Sequence, residues 1–376
     1  MNPLVSTMYF APQLIHGAGS VKNLGIACRT VQATSLFVLL SERTKNSLAD
    51  ALSSTGVPLH YFTDFQSEPT TLHLQHALGE FKKSQADGIL AIGGGSALDL
   101  AKALSVLAAN SGLAFCDIPQ HNSLKKIPLI AVPTTAGTGS EVTKVAVITD
   151  TKKNRKLNPG HPALIPNIVV LDPELTVSMS PKVTAETGLD ALAHAIEAFV
   201  SNLASPISDS FALEAIRLIG RSIRTAYHEP GNLKVRDDML RGSLFAGLAF
   251  SNSSTNLAHA TARPLGTRFQ LPHGLSVALL HPYVISFGKD AACERYEEIA
   301  KALGVDNVLA FINELNEEFQ LKEAIKHIDW EQFITQIPLL VEDALSGNGI
   351  KTNRKIPTTE DITGIYQKLL TDFTGG

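Results

Sequence analysis

Three things are scarce in this sequence. Cysteine occurs only at Cys28, Cys116 and Cys293 in 376 residues, with no CxxC spacing. An odd, scattered set makes neither a disulfide framework nor a zinc knuckle; it suits a reducing cytosol, so a cytoplasmic location is expected. Long apolar runs are missing as well: none approaches the roughly 18 residues that a membrane helix requires. Met1–Ser6 has no basic segment and no continuous apolar stretch behind it, so no signal peptide is expected. Charge of one sign is scarce too. Lys+Arg is 32 and Asp+Glu 36, a formal net charge of −4, and the one basic cluster is Lys152-Lys153-Asn154-Arg155-Lys156. That balance argues against nucleic acid as a partner and leaves a small molecule.

What is present is a globular composition: 44% of residues are AVILMFWYC and 18% are charged. A chain this apolar buries enough surface to offset its conformational entropy. At roughly 150 residues per domain it makes two domains. No internal repeat or low-complexity segment interrupts it.

The first half alternates short apolar runs with helical stretches. Ser35–Leu40, Gly88–Ile92, Ile127–Val132, Val145–Ile148 and Ile168–Leu171 read as strands, with helix patterns such as Thr44–Leu52 and Thr70–Ser84 between them. Apolar strands separated by helices predict a parallel sheet covered on both faces, a Rossmann-like α/β fold with ligands at the carboxyl ends of the strands. From about Pro181 onward the pattern is helical. Within Thr187–Ser201 the residues Leu189, Leu192, Ala193, Ile196, Phe199 and Val200 form one apolar stripe. The expected division is therefore 1–180, an α/β nucleotide-binding domain, and 181–376, an all-helical domain.

Two loops at strand ends carry ligand-binding chemistry. Gly93-Gly94-Gly95-Ser96 follows one strand and opens a helix, where backbone N–H groups and the helix dipole favour a phosphate. The alternative is a plain tight turn. Ser96 is expected to cap that helix, and Asp99 in its first turn is either a dipole partner or a ligand contact. Pro133–Glu141 follows the next strand with four hydroxyl side chains and two glycines in seven residues. Together the loops suggest a shared pyrophosphate cradle. The GxGxxG fingerprint is absent; His16–Ser20 supplies only a GxG with no clear strand before it.

In the helical half, Asp190 and His194 lie four apart on one face, and Glu197 continues that face. Such a pair is either a surface ion pair or a pair of ligands. His259 sits in a stretch of low charge and His273 in a Pro-His-Gly turn, whereas His281 reads as a core residue. Three histidines and a carboxylate fit a divalent metal with an open position, Fe(II) or Zn(II).

Gly93–Ser96, Pro133–Thr143, Leu171–Leu175, Thr187–Phe199, Pro264–Gly266, Pro272–Gly274 and Asn353–Ile362 together resemble the iron-containing (group III, metal-dependent) alcohol dehydrogenase family. The resemblance implies an α/β dinucleotide domain, an all-α metal-binding domain of the dehydroquinate synthase-like type, and an active site in the cleft. It implies Asp190, His194, His259 and His273 as metal ligands. It further implies Gly94, Gly95, Ser96, Asp99, Thr134, Thr135, Thr138, Ser140 and Lys156 around the cofactor. Glu42, after the first expected strand, stands where relatives carry an aspartate that repels a 2′-phosphate, so NAD is expected over NADP. The implied reaction is reversible hydride transfer between a small primary alcohol or aldehyde and the nicotinamide, in a homodimer or larger homo-oligomer. A dehydroquinate synthase-like lyase is the rival chemistry.

One position departs from many relatives. Where they read H-x3-H, this chain has His259 followed by Arg263. Arginine stays protonated and shuttles no proton. Arg263 is therefore either a clamp for an anionic aldehyde (carboxylate, sulfonate or phosphonate) or a structural arginine paired with an acid such as Glu197. Arg263 and Phe250 are the candidates for substrate contact.

Overall fold

The computed structural model describes residues 7–11, 13–65, 68–152 and 155–374. Met1–Ser6, on which no signal peptide is expected, and residues Lys153 and Asn154 of the basic cluster lie outside the described residues. The chain forms two compact units, Met8–Ser178 and the residues from Met179 onward. No helix among the described residues is long and apolar enough to cross a membrane.

The first unit is built on six parallel strands: β1 (Gln13–His16), β2 (Leu36–Leu39), β3 (Leu59–Phe62), β4 (Gly88–Gly93), β5 (Leu129–Pro133) and, after a ribbon described below, β8 (Ile168–Leu171). Their order is β1-β8-β5-β4-β2-β3. Helices α1 (Leu24–Thr30), α2 (Glu42–Ser47), α3 (Ala49–Ser53), α4 (Thr71–Ser84) and α5 (Gly95–Ala109) connect them. Phe37, Leu39, Ile89 and Ala91 pack one apolar cluster, and Leu36, Val38, Leu90 and Ile92 pack another. The alternation puts these clusters on opposite faces, which is why the central strands read as unbroken apolar runs. After β3 the chain returns to the other side of β2 to lay down β4. That reversal makes a switch point at the carboxyl ends of β2 and β4, where α/β sheets bind ligands.

Edge strands escaped the sequence pattern. β1 and β3 are short and half-exposed, with Leu14 47% and Tyr61 41% accessible, so neither shows a continuous apolar run. β1 therefore does precede the GxG at Gly17–Gly19. That turn is nevertheless filled from within: the buried Asp172 carboxylate accepts N–H bonds from Gly19 (3.1 Å), Val21 (2.9 Å) and Glu174 (3.0 Å). The expected strand Val145–Ile148 is also revised. Only Ile148 enters a strand, β6 (Ile148–Asp150), which pairs antiparallel with β7 (Arg155–Leu157) outside the main sheet. The Val145 carbonyl accepts from Lys102 instead of pairing in that sheet. Thr44–Leu52 divides into α2 and α3.

The second unit is helical: α6 (Pro181–Val200), α7 (Pro206–His228), α8 (Leu233–Ser253), α9 (Leu257–Phe269), α10 (His273–Gly288), α11 (Cys293–Leu303), α12 (Val308–Glu318), α13 (Trp330–Leu345) and α14 (Thr359–Thr374). Ser180 caps α6 by accepting from the Val183 N–H (3.3 Å), with Pro181 in the first turn. α7, α8 and α10 surround α6, whose residues are buried almost from end to end. This unit therefore has its own core, and α6 is its axis.

Asp172 gives a test of the first unit. Replacing it by alanine leaves one buried and two part-buried N–H groups without their acceptor, so Asp172→Ala is expected to cost about 3 kcal/mol in urea unfolding. A loss below about 1 kcal/mol would show that the carboxylate is dispensable.

Candidate active site

The helix α6 carries Asp190, His194 and Glu197 at spacings of four and three, so all three project from one face into the core. Their side chains are 4%, 7% and 2% exposed. Glu197 crosses to the start of α9, whose own N-cap residue, Asn256, makes no side-chain cap. The Glu197 carboxylate supplies one instead, accepting from the Asn256 N–H (2.9 Å) and the Ala258 N–H (2.6 Å). It also meets His259 Nδ1 at 2.5 Å. Burial raises the Glu197 pKa, but His259 and these N–H groups outweigh it and hold the group ionised. An ionised acceptor requires Nδ1 to donate, which fixes the ring and leaves Nε2 directed at Asp190 Oδ1, 3.3 Å away.

His273 begins α10, and its Nε2 lies 3.8 Å from the same Asp190 oxygen. The approach of α10 to α6 depends on Gly274, where a Cβ would fall 2.3 Å from the Glu186 carbonyl oxygen. Asp190, His259 and His273 offer three ligand atoms within 4.8 Å of one another. His194 lies beside this trio, its ring stacked between His259 and Phe250 at centroid distances of 4.2 Å from each. Its Nδ1 is 3.9 Å from Asp190 Oδ2.

The donor set fits a divalent metal. Asp190 Oδ1, His194 Nδ1 and His259 Nε2 are buried and make no hydrogen bond. Buried polar atoms are rarely left so, and a cation satisfies all of them at once. The electrostatics agree. Burial opposes ionisation of Asp190, yet His194, His273 and His259 hold its carboxyl far below the usual range. Burial pushes His194 down to about 3 against the pull of Asp190. Burial would lower His259 too, but Glu197 and Asp190 raise it to about 10. His273, with its side chain 38% exposed, is the open side of the group.

The loops of the first unit also come together. Strands β4 and β5 pair through Gly93↔Pro133, and Thr134 N–H donates to the Gly93 carbonyl at 3.0 Å. Thr135 lies against Gly94, and Thr138 against Gly95, where a Cβ would meet Thr138 Cγ2 at 2.8 Å. α5 starts from Gly94 without a side-chain cap, so its first N–H groups suit an anion. Two expectations change here. Ser96 lies inside the first turn rather than at the cap. Asp99 lies beyond that turn and is engaged by protein groups: Ser140 Oγ (2.5 Å), Val147 N–H (3.0 Å) and Lys102 Nζ (3.4 Å). Glu42 opens α2 at the carboxyl end of β2, 63% exposed and 3.7 Å from Lys45. Lys156 stands on β7 with its ammonium 2.8 Å from Glu68.

Arg263 is corrected as well. Glu197 is not its partner; Nη2 donates to the Asp343 carbonyl at 3.0 Å and approaches Ser346 Oγ at 3.4 Å, at the C-terminal end of α13. A cation there complements the helix dipole and its terminal carbonyls. The acid of that segment, Asp343, pairs with Arg268 instead. His281 is buried and held near 4 by burial, as a core histidine is. The role of Glu197 was legible in part: seven residues after Asp190, it shares the face of Asp190 and His194.

A parallel sheet with paired glycine and hydroxyl loops, in a chain whose helical unit carries a carboxylate–histidine cluster, is the makeup of a metal-dependent oxidoreductase with a dinucleotide fold. Known proteins agree. Residues 11–173 match the family described as iron-containing alcohol dehydrogenase, and residues 184–370 match the C-terminal part of the Fe-containing alcohol dehydrogenase family. Long-chain-alcohol dehydrogenase 1 of Geobacillus thermodenitrificans is 36% identical, covering 97% of this chain and 92% of that protein. The solved structure of a 1,3-propanediol oxidoreductase matches with a TM-score of 0.91 at 27% identity, covering 97% of this chain and 100% of that one. A sulfoacetaldehyde reductase from Bifidobacterium kashiwanohense, solved in complex with NAD+, matches at 0.88 and 29% identity over 98% and 99% of the two chains. The chain belongs to the iron-containing alcohol dehydrogenase family, and it is an oxidoreductase of the alcohol dehydrogenase type.

Two tests follow from the cluster. A metal that binds His259 Nε2 displaces the proton held there at any pH below about 10, whereas His194, near 3, is already neutral. Metal binding at pH 7 is therefore expected to release about one proton, and affinity to rise as pH rises toward 10. Calorimetry in buffers of different ionisation enthalpy reads this directly; zero protons released would contradict it. Gly274→Ala forces α10 away from α6 and is expected to weaken metal binding by at least about tenfold, measured by competition with a chelator.

Proposed function

We propose that Asp190, His194, His259 and His273 hold one divalent metal, Fe(II) first and Zn(II) as a substitute, and that the enzyme interconverts a small primary alcohol and its aldehyde with NAD. The observation that carries this reading is the set of unpartnered buried atoms on three of those four residues. When bound, the metal supplies Lewis-acid polarisation of the substrate oxygen, and the nicotinamide supplies the hydride acceptor. Every other task falls to the chain. Glu197 holds His259 Nδ1 and so aims Nε2. Phe250, stacked on His194, keeps that ring flat against His259. The exposed side of His273 is where a substrate oxygen can approach.

In the first unit, the N-terminus of α5 with Gly94, Gly95, Ser96, Thr134, Thr135 and Thr138 is proposed to hold the pyrophosphate, and Lys156, paired with Glu68, is proposed to reach the cofactor. Glu42 favours NAD, because a carboxylate accepts bonds from ribose hydroxyls and repels a 2′-phosphate. Arg263 holds its proton throughout, so it is no relay for the alcohol proton. The same reading includes a cytosolic location, supported by free thiols at the exposed Cys116 and Cys293. It includes a homo-oligomer, supported by the position of β1 at the end of the sheet with Leu14 half-exposed on it.

Because Arg263 reaches the end of α13, neutral aldehydes are preferred over anionic ones. The test is NAD(H)-linked turnover with Fe(II) or Zn(II) restored anaerobically. Propanal, glycolaldehyde and lactaldehyde are compared with succinic semialdehyde, sulfoacetaldehyde and phosphonoacetaldehyde. Arg263→Ala is expected to change both groups alike. A selective loss of about thirtyfold or more on the anionic set would restore the clamp. Turnover without net NADH change would favour the lyase chemistry.

A further inference from the structure

A small cavity in the second unit reaches Glu197. Its polar lining comes from Glu197 of α6, Asn256 at the head of α9, His281 of α10 and Tyr296 of α11. Two atoms of these residues, His281 Nε2 and Asn256 Oδ1, are buried and make no hydrogen bond. The residues that carry them are only 2% and 1% exposed. The other branch of the Asn256 amide is engaged, its Nδ2 donating to the Glu197 carbonyl at 2.8 Å. Burial holds His281 near 4, so its ring is neutral and offers one N–H and one lone pair. Buried donors and acceptors are rarely left unpaired, and two on the walls of one cavity call for a shared partner inside it.

Size and charge select that partner. The cavity is about 20 Å³, room for a water molecule and too small for a larger ligand. A cation would face Arg354 and Lys355, which also line it. Both are anchored at helix ends: Arg354 Nε donates to the Val200 carbonyl (3.1 Å) and Lys355 Nζ to the Phe287 carbonyl (3.3 Å). An anion would face the ionised Glu197. Water has no charge to repel, and it brings two donors and two lone pairs. We propose that this cavity is a water site, in which one molecule accepts from His281 Nε2–H and donates to Asn256 Oδ1 and to the Glu197 carboxylate. His281 is then a positioning residue. It stands eight residues after His273 on α10 and, through the water, ties that helix to α6 and to the head of α9. Those three helices carry Asp190, His194, His259 and His273, so loosening the tie loosens the cluster. The effect on metal binding rests on the reading that these four residues hold the metal.

A high-resolution crystal structure of the metal-loaded enzyme is expected to show one ordered water within hydrogen-bond distance of His281 Nε2 and Asn256 Oδ1. A cavity without it overturns the proposal. His281→Leu removes both ring nitrogens at similar volume. It is expected to lose the water and to weaken metal binding by about threefold to tenfold in chelator competition, less than the loss of a group bonded directly to a ligand. His281→Gln, whose amide reaches as far as Nε2, is expected to recover the water and most of the affinity. His281→Asn reaches only as far as Nδ1 and is expected to behave like His281→Leu. A histidine that merely fills the core would accept leucine without change in metal affinity, and glutamine would be the worse substitute. Should His281→Leu not fold, the comparison of glutamine with asparagine carries the test. Wild-type metal affinity in a folded His281→Leu variant, or equal affinity in the glutamine and asparagine variants, overturns the positioning role. Asp190→Asn separates the two levels. If it binds the metal as tightly as the wild type, the cluster is not the metal site and that reading fails, whereas the water is decided by the crystal structure alone.

Discussion

The second unit depends on one buried carboxylate. Glu197 is buried away from solvent, so it remains ionised only because the start of α9 and His259 donate to it. Those donations do three things at once. They close the N-terminus of a helix that lacks its own cap, they anchor α9 to α6, and they fix the direction of the His259 ring. Asp190, seven residues earlier on α6, then faces a nitrogen whose orientation is settled by a different residue. In the proposed metal site the first carboxylate would meet the cation while the second orients the histidine, which is the usual way a protein sets histidine geometry.

Charge burial is solved in opposite ways in the two units. In the first, the carbonyl and hydroxyl oxygens of Ser140–Val145 and the carboxylate of Asp99 converge on Lys102, a cation the chain supplies itself. In the second, Asp190 and its histidines converge on one another, and three of their polar atoms are left without a partner. A side-chain donor fixed in the chain makes a rigid scaffold. A position for an exchangeable cation makes a reactive one, since a metal with an open coordination site accepts a substrate oxygen and an ammonium does not. The glycines mark where these scaffolds close. Gly95 and Gly274 each sit where one added carbon would collide with the neighbouring segment, so side-chain volume there moves a helix rather than a surface loop.

Much of this was written along the chain. Apolar strands buried on both faces are visible as continuous runs, and the i, i+4 spacing of Asp190 and His194 is fixed by helical geometry wherever the helix lies. The edge strands β1 and β3 were not legible, because half-exposed strands have no run of apolar residues to betray them. Val145–Ile148 misled for the opposite reason: an apolar, β-branched segment was diverted from the sheet by a hydrogen bond to a lysine more than forty residues earlier.

The sequence by itself determined the parallel α/β architecture, the helical second half, the two ligand-type loops and the identity of the four candidate metal ligands, since local periodicity and residue chemistry depend on neighbours in the chain. Only the tertiary structure decided who meets whom. It gave Glu197 to His259 and not to Arg263, sent Arg263 to the end of α13, filled the GxG turn with Asp172, and joined Asp99 to Ser140, Val147 and Lys102. Each of these is a contact across many residues of chain. Such a contact is chosen by which buried donor lies within about 3 Å of which buried acceptor, a question that spacing along the sequence does not contain.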